Sequence, residues 1–432
     1  MDKPLNRYHR SKQLFDRALK VIPLASQTFS KSHIQYPENA APLFLERGRG
    51  GRVWDVDGNE YVDLVCGLLP VVLGYCDPDV DRAITDQLSR GISFSLATEL
   101  ETQLAERLVE IIPCAQAVRF GKNGTDATSA AVRIARAHTG RDRIAVGGYH
   151  GWQDWYIGST TRNKGIPAAV CQLTHKFPYN DLGALDRLLA AHKGEFAAVI
   201  LEPMNTTAPA DGYLAGVKDI AHKHGALLVF DEIITGFRYA IGGAQEHFGV
   251  TPDLASFGKA MGNGMPISAI VGRADLLAEM NEIFFSSTFG GETLSLAASI
   301  AVIDKMRREP VIERLWDTGE RLAAGASERI ARHGLAHVIG LAGLAPWKLL
   351  MFKDDPRASK EAIKTLFLRE MLRNGVLIAA SHNVCYAHDT RDIEQVLTAY
   401  DTSLAAVAAE LAGGRLAENL GTKPIQPVFS VR

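Results

Sequence analysis

"PDLASFGKAMGNGMP", Pro252 to Pro266, sets a single lysine between a strand-like apolar run and a glycine turn. Lysine is almost never fully buried unless it is paired or chemically employed, so Lys259, between Gly258 and Ala260, requires partners elsewhere in the chain. Around it, from about residue 116 to 275, short apolar runs alternate with helical patterns, the mark of a mainly parallel sheet covered by helices. The runs are Ala117 to Phe120, Ile144 to Val146, Ala197 to Leu201, Ala226 to Phe230, Leu254 to Phe257 and Ile267 to Val271. Helices are expected at Asp126 to His138, with Ala127, Ala130, Ala131 and Ile134 on one face, and at Asp181 to Lys193.

In such sheets ligands sit beyond the carboxyl ends of the strands, so the residues that follow each run belong together. "GKNGTDA" (Gly121 to Ala127) is a glycine turn entering a helix, which aims N–H groups and the positive helix end at an anion, so a phosphate fits at Asn123, Gly124 and Thr125. It is not a Walker A loop, because Lys122 is not followed by Ser or Thr. "GGYHGW" places Tyr149, His150 and Trp152 at the next strand end, where an aromatic face stacks on a flat ring. Glu202 follows "AAVIL" and Asp231 follows "ALLVF", two carboxylates that are costly to bury without a cation or hydrogen-bond donors. A lysine amine in a dry cleft loses proton affinity and attacks aldehydes. Taken singly, each feature also reads as a helix cap, a surface aromatic or a rim charge. Together they meet the needs of pyridoxal 5′-phosphate (PLP): phosphate, ring face, pyridine nitrogen and aldehyde.

The remaining chain narrows the class. At 432 residues it exceeds one core of about 150 residues, so at least two domains are expected. A net charge of −2 gives no general attraction to nucleic acid or anionic lipid, and a small-molecule partner is expected instead. "RGRGGR", beside the "RVWDVDGNEYVDL" hairpin around Asp57-Gly58, reads as a turn and not as an RNA-binding segment. The five cysteines are scattered and never in CxxC spacing, which argues against a disulfide framework or a structural zinc, so no metal site is expected and a reducing cytoplasm fits. The charged N-terminus reads as no signal peptide, and the apolar stretch Leu64 to Tyr75 is broken by Gly67, Pro70 and Gly74 and too short to span a bilayer, so it reads as core. Residues 7 to 22 read as a helix stopped at Pro23. Beyond 295, amphipathic stretches at 296–308, 310–334 and 358–374 with the strand Lys348 to Phe352 make a second, smaller α+β domain. Gly413 to Arg432 reads as a tail or an arm laid on a neighbour.

These residues resemble the class III (fold type I) PLP-dependent aminotransferases, and within them the glutamate-1-semialdehyde aminomutase branch. The likeness runs over about residues 10 to 405 and includes "WDVDGNEYVDL", "VRFGKNGTDATSAAVRIARAHTGRDRI", "VILEPM", "LLVFDEIITGFR", "PDLASFGKAMGNGMP" and "STFGGETLSLAA". It implies an α/β fold whose large domain holds a mainly parallel seven-stranded sheet flanked by helices, with a small α+β domain built from both chain ends. The expected division is 1–65, 66–295 and 296–412, then a tail at 413–432. Lys259 is implied to form the Schiff base and shuttle the proton, and Asp231 to pair with the pyridine nitrogen. Ile233 is implied to pack opposite Tyr149, Asn123, Gly124 and Thr125 to hold the phosphate, Glu202 to belong to the cofactor-binding set, and Thr288 to reach the phosphate of a neighbouring subunit. A homodimer with shared active sites follows from that implication.

Several positions depart from the family's pattern. Asn123 stands for the family's serine, Asp126 for its glutamate and Glu292 for its asparagine. "MNTTAPADG" replaces glycine and asparagine after "EP", leaving Asn205 and Thr207 as candidates for the ring hydroxyl. Lys31 stands for a carboxylate-binding arginine and is a point charge, not a fork. Trp152, Trp155, Lys31, His382 and Asn383 are candidate substrate walls. The implied activity is ping-pong transamination from an amino donor such as glutamate to a carbonyl acceptor. The alternatives are a 2,1-aminomutase and a PLP-dependent lyase acting on a small amine.

Overall fold

The computed structural model describes residues 7–427. They divide into two compact units, Pro78–Ile312 and a second built from 7–77 together with 313–427.

The larger unit is organised by a seven-stranded sheet in the order Ala117–Gly121, Ser268–Gly272, Leu254–Phe257, Leu227–Asp231, Phe196–Leu201, Arg143–Gly147, Thr174–Lys176. Ser268–Gly272 runs antiparallel to both neighbours and every other pairing is parallel. "FAAVIL" and "LLVFD" are buried at every position, as strands covered on both faces require. Against them packs the helix Gly124–Thr139, whose Ala127, Ala130, Ala131 and Ala135 let its axis approach the sheet while Ile134 fills the space beside Ile200, Val229 and Ile270. Each such aliphatic burial contributes about 1.5–3 kcal/mol. Gly140, left-handed at φ 65°, ends that helix. The six strands read from apolar runs are all present. The seventh, "THK" at the sheet edge, has no such run because only one of its sides is paired.

In the smaller unit, Leu45–Arg49, Arg52–Asp55 and Glu60–Asp63 form an antiparallel meander, and Val376–Leu377 joins Glu60–Asp63 in parallel. Asp55 fixes the hairpin by accepting the N–H groups of Asp57 and Asn59 at 3.0 and 2.8 Å, with Gly58 at φ +83°. A second sheet pairs Ile339–Leu344, Trp347–Phe352 and Ser381–Asn383. The helices Val311–Arg332, Lys360–Arg373 and Thr390–Gly413 complete the α+β unit.

The division falls at 77/78 and 312/313, not at the expected 65/66 and 295/296. The helix Thr293–Arg308 explains the second difference. Its amphipathic pattern opens the helical part of the sequence, yet it packs on Pro78–Leu88 and Glu99–Ile111 of the larger unit. The expected tail also differs: after a short helix, Leu416–Asn419, the Ile425 N–H donates to Thr365 Oγ1 at 2.8 Å, so this stretch lies on its own chain. The end of that tail, 428–432, lies outside the described residues. Among the described residues, no helix is long and apolar enough to cross a membrane.

Candidate active site

Four parallel strands of the larger unit end at one place. Asp231 closes its strand and is buried, so its carboxylate needs partners. Oδ2 lies 2.8 Å from His150 Nδ1, and Oδ1 accepts the Ile233 N–H at 3.1 Å. His150 is itself buried, its ring stacked 6.2 Å from Trp155, and its Nε2 has no partner. The backbone N–H of the preceding Tyr149 donates to Glu202 Oε2 at 2.9 Å, as does Asn205 Nδ2 at 3.0 Å. Tyr149 meets Tyr156 edge to face at 5.5 Å and keeps 46 % of its surface exposed, enough to cover a ligand.

Lys259 follows the strand Leu254–Phe257 in a left-handed conformation, φ 41°, at the head of a short 3-10 turn. That conformation is unusual for a residue with a Cβ and marks a position held by its surroundings. Burial lowers its proton affinity, while Asp231 and Glu202 oppose that effect. Burial, together with the Asp231 charge, pushes Glu202 up to about 7.

The turn "GKNGTDA" ends in an N-terminus where Asp126 Oδ2 accepts the N–H groups of Lys122 and Asn123 at 3.0 and 2.8 Å. Gly124 and Thr125 then open the helix with N–H groups that lack intrahelical partners. Thr125 Oγ1 is buried without a partner. Lys122 is held by Glu292 at 2.9 Å, where Glu292 also caps the helix Thr293–Arg308. The glycines here are required by space. A Cβ on Gly148 would stand 2.3 Å from Glu202 Oε2, and one on Gly151 2.4 Å from Thr125 Oγ1, and both have positive φ. The Ile233 side chain packs within 3.0 and 3.1 Å of where a Cβ of Gly124 or Gly258 would be.

The larger unit therefore gathers Asn123, Gly124, Thr125, Tyr149, Glu202, Asp231, Ile233 and Lys259. Trp152 is 67 % exposed beside Gly151, and Thr288 is exposed in the 284–291 segment. Lys31 is exposed in the smaller unit. Three of the residues expected as substrate walls are core residues. Trp155 is buried with Nε1–H on Ser129 Oγ at 3.0 Å. His382 is buried against the Tyr400 hydroxyl at 2.6 Å and pushed down to about 3 by burial. Asn383 gives its amide N–H to the Val65 carbonyl at 2.8 Å. The sequence reading grouped His150 with the aromatic face; its pairing with Asp231 is the feature that reading missed, and its place at a strand end was the available signal.

The class III aminotransferase family model matches residues 34–398, and the chain belongs to that family. It is similar to a 3-aminobutyryl-CoA aminotransferase of Cloacimonas acidaminovorans, at 35 % identity over 92 % of this chain and 97 % of that one. A glutamate-1-semialdehyde 2,1-aminomutase of Halorubrum lacusprofundi is also 35 % identical, over 91 % and 99 %. Among solved structures, the FumI protein of Sphingopyxis sp. MTA144, in a PLP form, superposes with a TM-score of 0.88 at 31 % identity, covering 96 % of this chain and 99 % of that one. The fold is PLP fold type I, and the protein is a PLP-dependent aminotransferase.

The residues fit that cofactor. The unpartnered Thr125 hydroxyl and the helix-opening N–H groups suit a phosphate, and the Ile233 floor over two glycines suits a flat ring. A pH prediction follows from Glu202. Its native carboxyl keeps a proton that the unfolded chain, at an ordinary value of 4.5, releases. Stability from this group is therefore complete below about 4.5 and declines as pH rises through about 7. In the cofactor-free protein, Glu202→Gln is expected to flatten that decline by up to about 1.4 kcal/mol per pH unit. Denaturant titrations of both proteins across this window check it; equal slopes would show the native carboxyl already ionised.

Proposed function

We propose that this aminotransferase takes an amine from an amino-acid donor, glutamate first among them, and passes it to a separate carbonyl acceptor in a ping-pong cycle. The observation that carries the reading is the meeting of Lys259, its proton affinity lowered by burial, with Asp231 braced by His150. When bound, PLP supplies an aldehyde for amines and an electron-poor ring that stabilises negative charge on the carbon losing its proton.

Lys259 would hold the cofactor's aldehyde carbon and, as a free amine, would carry the proton taken from the donor's Cα. Asp231 keeps a proton on the ring nitrogen, and His150 fixes the position of that carboxylate. Gly124 and Thr125 take the phosphate at the turn that Asn123 opens. Tyr149 and Ile233 bound the ring, and Glu202, held by Asn205, closes the wall beside Tyr149. Trp152 and Lys31 are our candidates for substrate contact, and they favour a polar, anionic substrate. His382 is left out because it is a buried core residue.

We read the active form as a homodimer in which Thr288 serves the phosphate of the second copy. Phe284, Phe289, Phe94 and Leu96 are 80, 57, 53 and 85 % exposed, large apolar side chains whose burial by a partner supports this reading. A monomer mass in sedimentation at micromolar concentration would remove the shared site. Free cysteines favour a cytoplasmic setting.

The visible spectrum tests the function. The PLP-loaded protein is expected to be yellow and to bleach with L-glutamate, and a carbonyl panel then identifies the acceptor. Isomerisation of glutamate-1-semialdehyde without a second substrate would select the aminomutase reading, which the Halorubrum relative supports. No colour after PLP is supplied would overturn the proposal.

A further inference from the structure

The proposed mechanism has no task for Lys122 or Glu292, yet their ion pair stands at the edge of the turn that enters the helix Gly124–Thr139. Lys122 Nζ lies 2.9 Å from Glu292 Oε2, and the two side chains are only 14 and 12 % exposed. A pair this covered is weakly screened by salt, and neither end can leave without stranding the other's charge.

Each end is anchored. The Lys122 N–H donates to Asp126 Oδ2 at 3.0 Å, beside the Asn123 N–H on the same oxygen at 2.8 Å, so the residue carrying the ammonium belongs to the turn itself. Glu292 caps the helix Thr293–Arg308: Oε1 accepts the Leu294 N–H at 2.6 Å, and Oε2 accepts the Ser295 N–H at 3.3 Å and its hydroxyl at 2.6 Å. Against the upward push of burial, that hydroxyl and Lys122 hold the Glu292 carboxyl below its ordinary value, so it is charged at neutral pH. The capped helix is itself fixed, because the Thr293 N–H and hydroxyl both donate to the Ile92 carbonyl at 2.9 Å.

The chain before Glu292 closes on the same strand end. A Cβ on Gly290 would stand 3.1 Å from the Phe120 carbonyl oxygen, and one on Gly291 2.7 Å from Glu101 Oε1, so this backbone lies flush against the strand Ala117–Gly121 and the helix Glu99–Ile111. The charge of Lys122 is neutralised within the protein, and what it supplies is a fixed position. On its open side the turn presents the Gly124 and Thr125 N–H groups and the unpartnered Thr125 hydroxyl, donors that bind an anion best when held in place beforehand.

On the reading that this turn takes the phosphate, we propose that the Lys122–Glu292 pair is a positioning strut, holding the turn 121–125 against the capped end of the helix Thr293–Arg308 and so presetting the phosphate donors. A strut and a phosphate-binding charge have effects of opposite sign. Were Lys122 the counter-charge of the phosphate, restrained by Glu292, then Glu292→Gln would free it and tighten binding. In a strut the loss of either end loosens the turn, and the two losses do not add.

The test titrates the full-length, cofactor-free protein with PLP, with pyridoxal, which lacks the phosphate, and with inorganic phosphate as a competitor of PLP, and compares dissociation constants. Lys122→Met, Glu292→Gln and the double variant are each expected to weaken PLP and phosphate by roughly fivefold or more, the lower end of couplings carried through a protein, while pyridoxal binds nearly as before. A variant that merely disturbed the fold would weaken pyridoxal as well. If a single variant fails to fold because the remaining charge is buried alone, the double variant, which strands none, decides. Thr125→Val locates the phosphate independently. If it weakens PLP against pyridoxal and the strut variants do not, the strut falls while the phosphate site stands; if none of the variants separates PLP from pyridoxal, the site reading falls and the strut with it. Tighter PLP binding in Glu292→Gln, or a double variant that matches the wild type, would also overturn the proposal.

Discussion

Lys259→Ala is expected to lower turnover by about 10⁴-fold or more, because positioned proton transfer alone contributes ~10²–10⁴ and, in the proposed mechanism, the same amine also holds the cofactor. Alanine fits the space, so the loss should appear in the chemistry and not in the fold. The backbone there is left-handed at φ 41°, and alanine meets the same cost as lysine. Single-turnover bleaching with L-glutamate, alongside the thermal midpoint, measures both. A variant within about tenfold of the wild-type rate would remove Lys259 from the reaction.

Asp231→Asn should lower kcat by roughly 10²–10³, the scale found when one preorganised electrostatic group is removed. The amide keeps the size of the carboxylate and can still accept the Ile233 N–H, now at 3.1 Å. What it loses is the charge that, in the proposed mechanism, would keep a proton on the ring nitrogen. An interaction made mainly in the transition state leaves the donor KM nearly unchanged. A raised KM at constant kcat would instead assign Asp231 to substrate binding. His150, 2.8 Å from the same carboxylate, then faces a neutral amide, so cofactor retention should be compared in both proteins.

The sheet was legible because parallel strands buried on both faces leave continuous apolar runs, and the polar groups at their ends stand out against that background. "THK" was not legible, since an edge strand of three residues has no hydrophobic signature. Glu202, Asp231 and Lys259 were singled out through their positions after such runs. The pairing of His150 with Asp231 was hidden because it joins two strands that are distant in sequence, and only the register brings them to 2.8 Å. Burial was hidden for the same reason: nothing local distinguishes His382, which hydrogen-bonds Tyr400 inside the smaller unit, from a histidine in a pocket wall.

Gly124, Gly148, Gly151 and Gly258 set a boundary for anyone wishing to redirect this enzyme. Each stands against a side chain of the site too closely for a Cβ at ordinary distance, and none carries a side chain of its own. A saturation library would return glycine at Gly148 and Gly151, where φ is also positive, and invite the reading that they touch the substrate. The freedom to alter selectivity lies with exposed side chains such as Trp152, where the backbone asks nothing of the residue it carries.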